Sequence, residues 1–442
     1  MRYRIGIDFG TSNSGAAYYD GDRVHVLPLD RKNVMPEVVK SILYITRDHR
    51  FTIGQEAVEQ YYRQNVNRLR RYVKKWVGEI DYRGADMHYV RDIFTYVDEL
   101  MPGRLLQYIK TALRSERYEG TQVFDRYYTL VEILAIYLGE LKRRAEAELG
   151  DKIESVVLGR PVQFSPMQEV DQRAEAQLRQ AAMLAGFQQV ELELEPVAAA
   201  CYYELSISRP QTALIFDFGG GTLDITIMRL GDPAGRQVFA SGGIGIAGSD
   251  FDRAIIRNRM VPHFGWGRQE LDADIRDLIE AVADWMVLPE LSTPQVRAKL
   301  QAAILGGQAP VQLKALEMLI FNDLAFSFYN MVENAKIDLS AQDAVVLAMQ
   351  NKHLDLWELY TRLQFEKDIR EYQARIEGVL LDTLARSGFE AGEIDAVVTT
   401  GGSSSIPAFQ RMLIRHFGKE RLVASDVFSS VTAGLAVRAS RA

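Results

Sequence analysis

A single cysteine among 442 residues leaves no possibility of an internal disulfide. Cys201 has no thiol partner, and disulfides belong to oxidising compartments, so a reducing cytoplasmic setting is expected. Histidine is also sparse. The six (His25, His49, His88, His263, His353, His416) are scattered and no two have metal-ligand spacing, which argues against a zinc site. No uninterrupted apolar run approaches the roughly 20 residues that span a bilayer. The opening Met1–Asp8 lacks the apolar core of a secretory signal. Positive charge is not in excess: 52 Lys and Arg face 59 Asp and Glu, a net of −7. A nucleic-acid partner is therefore not expected, because a general coat needs clustered cations to displace counterions. What is present is a globular balance, 47% apolar and 25% charged, which excludes intrinsic disorder.

The chain opens as a strand meander. Arg4–Gly10, Ser14–Tyr19 and Val24–Leu27 read as strands joined by Thr11-Ser12-Asn13 and Asp20-Gly21. About residues 55–127 read as mostly helical. A helix is expected over Leu130–Leu149, where apolar residues recur at helical spacing before Gly150. A buried strand Ser155–Gly159 follows. Then comes a helix started by Ser165 as N-cap, Pro166 at the first position and Gln168 in a capping box, and ending near Gly186. Glu191–Glu195 reads as a strand and Pro196–Tyr203 as a helix. At Ala213–Thr222 the opening pattern returns: an apolar strand, an Asp, a glycine turn and a Thr. The two copies lie about 210 residues apart, which suggests two related lobes. Lobe I is expected over 1–208 with a helical insertion at about 37–127. Lobe II is expected over 209–442 with a helical insertion at about 250–371. A helix Gln364–Ser387, a strand Ala396–Thr400 and a last helix near Ser430–Ala439 complete the reading.

Glycine turns let backbone N–H groups approach an anion, and a carboxylate just before each turn can hold Mg²⁺ through its water shell. Two such turns at matching positions, with a third at Thr400–Pro407, suit a polyphosphate clamped between lobes. Gly243-Ile244-Gly245-Ile246-Ala247-Gly248 spells a dinucleotide-binding pattern but lacks the parallel strand–helix–strand unit that pattern needs. Cys201 reads as a small core residue.

Together these motifs resemble the nucleotide-binding domain of DnaK-type, seventy-kilodalton heat-shock chaperones, within the actin and sugar-kinase fold group. The residues that carry the resemblance are Gly6–Thr11, Gly159–Phe164, Glu195–Ala200, Phe216–Asp224, Gly248–Asp252, Glu333–Ser340 and Gly401–Pro407. They stand in the family's order and span nearly the whole chain. The resemblance implies a two-lobed α/β fold, a duplicated ribonuclease-H-like unit with a nucleotide cleft between lobes. It implies ATP or ADP with Mg²⁺ as ligands, slow ATP hydrolysis, and client proteins or co-chaperones as partners. Asp8, Asp217 and Glu195 would surround Mg²⁺ and its waters. Gly10, Thr11, Ser12, Asn13, Gly219, Gly220, Gly221 and Thr222 would cradle phosphates, with Gly248 nearby. Glu333, Lys336, Ser340, Gly401, Gly402 and Ser403 would lie toward ribose and base. Lys74, in Tyr72–Gly78, resembles the family's catalytic lysine, so Lys74, Glu195, Asp217 and Thr222 form the expected catalytic set, with Lys75 as the alternate lysine. The same lysines also read as a solvated basic run, Arg68–Lys75.

Four departures concern the family's pattern. Ile337 and Ser405 stand where it has arginines, Phe428 where it has a carboxylate, and Ala247 where it has a glycine. The adenine side is therefore expected to be remodelled. Since the chain stops at Ala442, a short member without an attached peptide-binding domain is expected. An actin-like filament or scaffold protein is the alternative reading, and a small-molecule kinase a weaker third.

Overall fold

The computed structural model describes residues 3–83, 88–232, 235–285, 287–424 and 429–440. Phe428 lies outside the described residues. Two sheets with the same plan organise the chain. In the first, Val24–Val26, Asn13–Tyr19, Arg4–Phe9, Ser155–Arg160 and Gln189–Leu194 are neighbours in that order. In the second, the order is Gln237–Ile244, Leu223–Leu230, Gln211–Phe218, Ala396–Thr400 and Leu422–Ala424. Each begins with two antiparallel pairings and continues with two parallel ones. The repeat seen in the sequence is thus a repeat of topology. In register, Asp8 lies opposite Gly15, and Asp217 opposite Asp224.

The near-continuous apolar runs of the central strands follow from burial on both faces. Ile5, Ile7 and Phe9, and likewise Leu214, Ile215, Phe216 and Phe218, are fully buried. On one side of the first sheet, the helices Leu130–Leu149 and Gln168–Leu184 complete a core around Leu134, Tyr137, Leu138 and Leu178. Two further helices, Glu195–Tyr203 and Ser430–Ala439, pack on each other beside the central strands. There Ala198, Ala199, Ala200 and Leu435 meet Ile215 and Val398 of the second sheet. Small residues set that spacing: a Cβ on Gly434 would overlap the Ala198 carbonyl. The largest core underlies the second sheet and the helices between Gly248 and Ser387.

The expected helix Leu130–Leu149 and the last helix Ser430–Ala439 are observed with those bounds. Thr129 and Glu132 form a capping box on the former. Four expectations need correction. The 37–127 segment is not mostly helical: beyond the helix Gln55–Asn65 and a short 3-10 segment, Ile109–Arg114, its regular elements among the described residues are strands. It holds a three-stranded sheet of Phe51–Ile53, Ile42–Thr46 and Gly103–Gln107. It also holds a long two-stranded ribbon of Tyr72–Arg83 and His88–Asp98. The 250–371 segment is largely helical but contains the hairpin Ala344–Asn351/Leu354–Thr361, whose Val345, Leu347, Leu354 and Leu356 are buried at period two. The third helix begins at Gln168, not after Ser165. Asp171 reaches back to accept from the Phe164 N–H at 2.6 Å, so the preceding loop takes the capping carboxylate. The helix expected over Gln364–Ser387 is two, Arg362–Asp368 and Arg370–Ser387, broken where Asp368 is held by Tyr360 and Arg259. Among the described residues, no helix is long and apolar enough to cross a membrane.

Candidate functional site

The central strands Arg4–Phe9 and Gln211–Phe218 carry Asp8 and Asp217 one residue before their ends, and each runs into a glycine turn. The turns face each other across a cleft. A Cβ on Gly220 would come within 2.7 Å of Ser12 Oγ, and one on Gly221 would overlap Thr11 Oγ1. Side chains at either position would force the halves apart, so the close approach depends on glycine. Neighbouring segments brace both turns. Ser41 donates to the Gly10 carbonyl at 2.7 Å. Ser403 donates to the Gly219 carbonyl at 2.7 Å, and the Ser249 N–H to the Gly220 carbonyl at 2.8 Å. The carbonyls are thereby occupied. The N–H groups of Gly220 and Gly221 take no protein acceptor among the described residues. Free backbone donors in a glycine turn are groups that an anion can use.

Below the turns lies a cavity of about 110 Å³ that brings together Asp8, Glu195, Asp217, Gly10, Thr11, Ser12, Asn13, Gly219, Gly220, Gly221, Thr222, Gly401 and Gly402. Glu195 opens its helix and is buried, and Lys110 Nζ lies 2.6 Å from its Oε1. Burial pushes the Asp8 carboxyl up to about 7, aided by the nearby Glu195 charge. Asp217 is raised well above its ordinary value by burial, Glu195 and the opposing Asp224. Asp224 is raised to about 7, chiefly by burial. Its Oδ1 accepts from the Val162 N–H at 2.7 Å, and that bond and the Thr222 side chain oppose the rise. Four acids gather here, with the Lys110 ammonium against Glu195 and the Arg114 guanidinium on the neighbouring Gly221 carbonyl. Among the described residues, no three carboxylate, imidazole or thiolate groups converge closely enough to ligate one ion directly.

A second cavity of about 130 Å³ shares Thr11, Ser12 and Asn13 with the first and extends toward Tyr108, Tyr329, Glu333, Asn334 and Ile337. Ile337 is exposed there. Lys336 is buried and committed elsewhere, donating to Asp252 Oδ2 at 2.7 Å and to the Gly248 carbonyl at 3.1 Å. Gly248, Lys336 and Ser403 adjoin one another behind the glycine turn.

Two expected residues lie elsewhere. Ser340 lines neither cavity. Lys74 sits exposed on the ribbon strand Tyr72–Arg83, as does Lys75, and neither lines the cleft. The lysine that lines the carboxylate cavity is Lys110, and Lys40 lines the other one. The ribbon separates the lysine-bearing segment from the opening hairpin by more residues than motif order suggests. One signal for Lys110 exists in the sequence: it sits among the apolar Ile109, Ala112 and Leu113, where a solvated lysine is out of place. Asp224, part of the second glycine motif but without an expected role, and Arg114 are the other cleft-side residues that sequence reasoning misses. The Gly243–Gly248 pattern ends a strand antiparallel to Leu223–Leu230, so it lacks the parallel unit of a dinucleotide site.

A family model described as Hsp70 protein matches residues 4–282 and 325–440. Two proteins named chaperone protein DnaK, from two strains of Thermus thermophilus, are each 26% identical to the chain. The match covers 99% of this chain and 61% of each relative. The chain thus spans about three-fifths of the length of the curated relatives it matches.

Proposed function

The chain belongs to the Hsp70 family, and from that premise we propose that it binds ATP with Mg²⁺ in the cleft and hydrolyses it slowly. The observation that carries the reading is the pair of facing glycine turns above Asp8, Glu195 and Asp217, with Lys110 against Glu195. Free N–H groups at Gly220 and Gly221, with the Thr11, Ser12 and Thr222 hydroxyls, supply donors for the β- and γ-phosphates. Asp8, Glu195 and Asp217 would hold Mg²⁺. Burial first, and then the neighbouring acid charges, raises the Asp8 and Asp217 carboxyls, and a divalent cation would relieve the repulsion among them. When bound, the ion neutralises phosphate oxygens. Lys110 keeps an ammonium beside the acids, where it stabilises charge on the transferring phosphoryl group and orients Glu195 toward a water.

Gly401 and Gly402 would flank the nucleotide on the second sheet's side. Glu333 faces the base-side cavity, while Gly248, Lys336 and Ser403 would support it from behind. With Ile337 in that wall, an apolar surface replaces a guanidinium, which favours loose discrimination between bases. Client proteins, co-chaperones and a cytoplasmic setting are proposed from family membership alone. That membership also favours the chaperone reading over a nucleotide-gated filament or a small-molecule kinase.

The test is a titration of the purified chain with ATP, ADP and GTP in Mg²⁺, followed by phosphate release with no added acceptor. Micromolar binding of ATP and ADP with slow, acceptor-free release is expected. If no nucleotide binds, the reading is wrong.

A further inference from the structure

Arg114 closes the short segment Ile109–Arg114 that also carries Lys110. Its side chain reaches the second sheet, where Nη2 donates to the Gly221 carbonyl. Two glycines make room for it. A Cβ on Gly221 would stand 3.3 Å from Nη2, and one on Gly245 would stand 3.4 Å from Nη1. The guanidinium is therefore lodged between the phosphate-type turn and the end of the strand Gln237–Ile244.

A guanidinium has five N–H donors in a fixed fork, and the Gly221 carbonyl uses one. Among the described residues, no carboxylate lies within ion-pair distance of Arg114. Burial opposes its charge and pulls its pKa down, while Asp250, Asp224 and Glu195 act on it from farther off and favour the charged form. An arginine stays protonated in such a place. The result is a half-buried cation with unused donors, set against the glycine turn. Forked donors of this kind match phosphate oxygens.

Its position along the cleft selects which phosphate. The base-side cavity opens at Glu333 and Ile337, and the shared turn Thr11–Asn13 joins it to the carboxylate-lined cavity. Arg114 lines neither cavity itself, but it holds the carbonyl of Gly221, and Gly221 lines the carboxylate-lined one. A nucleotide with its base in the first cavity presents its last phosphate to the second. We propose that Arg114 contacts the terminal phosphate of a nucleoside triphosphate and so distinguishes the triphosphate from the diphosphate. The proposal rests on the ATP reading above.

The rival role is a latch, in which Arg114 only ties the Gly221 turn to the first half. Affinities for ADP and for the β,γ-methylene analogue of ATP, measured by calorimetry with Mg²⁺, separate the two. The analogue removes hydrolysis from the readout. In Arg114→Ala, affinity for the analogue is expected to fall about tenfold or more relative to ADP. Arg114→Gln keeps a donor for the Gly221 carbonyl but drops the charge, and should lose the same preference even if the alanine variant folds poorly. Arg117→Ala, which removes an exposed cation from the same loop, should leave the ratio unchanged. If both affinities fall together in Arg114→Gln, or neither changes, Arg114 is a latch and the proposal is wrong. If the unaltered chain binds neither ligand, the ATP reading itself has failed, and the proposal falls with it.

Discussion

Lys110 Nζ lies 2.6 Å from Glu195 Oε1 in the floor of the cleft, and both residues are more than nine-tenths buried. They are 85 positions apart in the chain, and nothing in their local sequence pairs them. Their contact joins a 3-10 segment of the inserted region to the start of a core helix. It also supplies a cation to a group of otherwise repelling acids.

Removing that cation should cost both stability and chemistry. Lys110→Ala leaves Glu195 buried and unpaired among Asp8 and Asp217, a loss of about 3–5 kcal/mol for a broken buried pair. Phosphate release should drop by about a hundredfold or more. Lys74→Ala, on the exposed ribbon, should stay within about twofold of the unaltered chain. Steady-state phosphate release and chemical denaturation of both variants check the contrast. Equal losses would remove Lys110 from its role.

The glycine turn predicts a steric contrast. Alanine at Gly221 would drive its Cβ into Thr11 Oγ1, whereas a Cβ at Gly402 meets nothing within 4 Å. Gly221→Ala should weaken nucleotide binding by spreading the turns. Gly402→Ala should melt at the temperature of the unaltered chain. Nucleotide titration and thermal melts of the two variants measure this.

Asp252 predicts a pH dependence. Burial raises its carboxyl from 3.8 to about 6, against the opposing pull of Lys336 and with the help of Glu333. The folded state therefore binds this proton more tightly than the unfolded state does. The stability it contributes is full below about pH 4 and is lost as pH rises through about 6. In Asp252→Asn, stability should fall less steeply between those values. Denaturation midpoints across pH 4–7 give the slopes, and identical slopes would contradict the assignment.

Cys201 should be inert while the chain is folded. It is buried, and burial pushes its thiol up to about 11, so almost no thiolate exists at pH 8. A thiol-reactive chromophore should label it far more slowly in buffer than in denaturant. Comparable rates in the two would show that the helix Glu195–Tyr203 opens readily.

The parts legible in the sequence share a physical cause. Arg4–Phe9, Gln211–Phe218 and Ala396–Thr400 are buried on both faces, so their apolar runs announce them without any partner. The ribbon Tyr72–Arg83/His88–Asp98 reads as helix because its strands pair only with each other, and their aromatic and β-branched residues alternate with charges. Low local hydropathy conceals a strand signal that lies in residue type. The hairpin at Ala344–Thr361 does carry a period-two pattern in Val345, Leu347, Leu354 and Leu356, but the helices around it mask it.

By itself, then, the sequence determined the duplication, the two Asp–glycine turns and the family, because these are written in contiguous residues whose backbone needs are local. Only the tertiary structure decided which cations serve the cleft. A lysine's role depends on whether its ammonium is buried against a cleft carboxylate or carried on an exposed strand, and chain-distant packing sets that. Lys74 and Lys110 are chemically alike. The fold carries the first on an exposed strand and buries the second against Glu195, with Arg114 of the same segment on the Gly221 carbonyl.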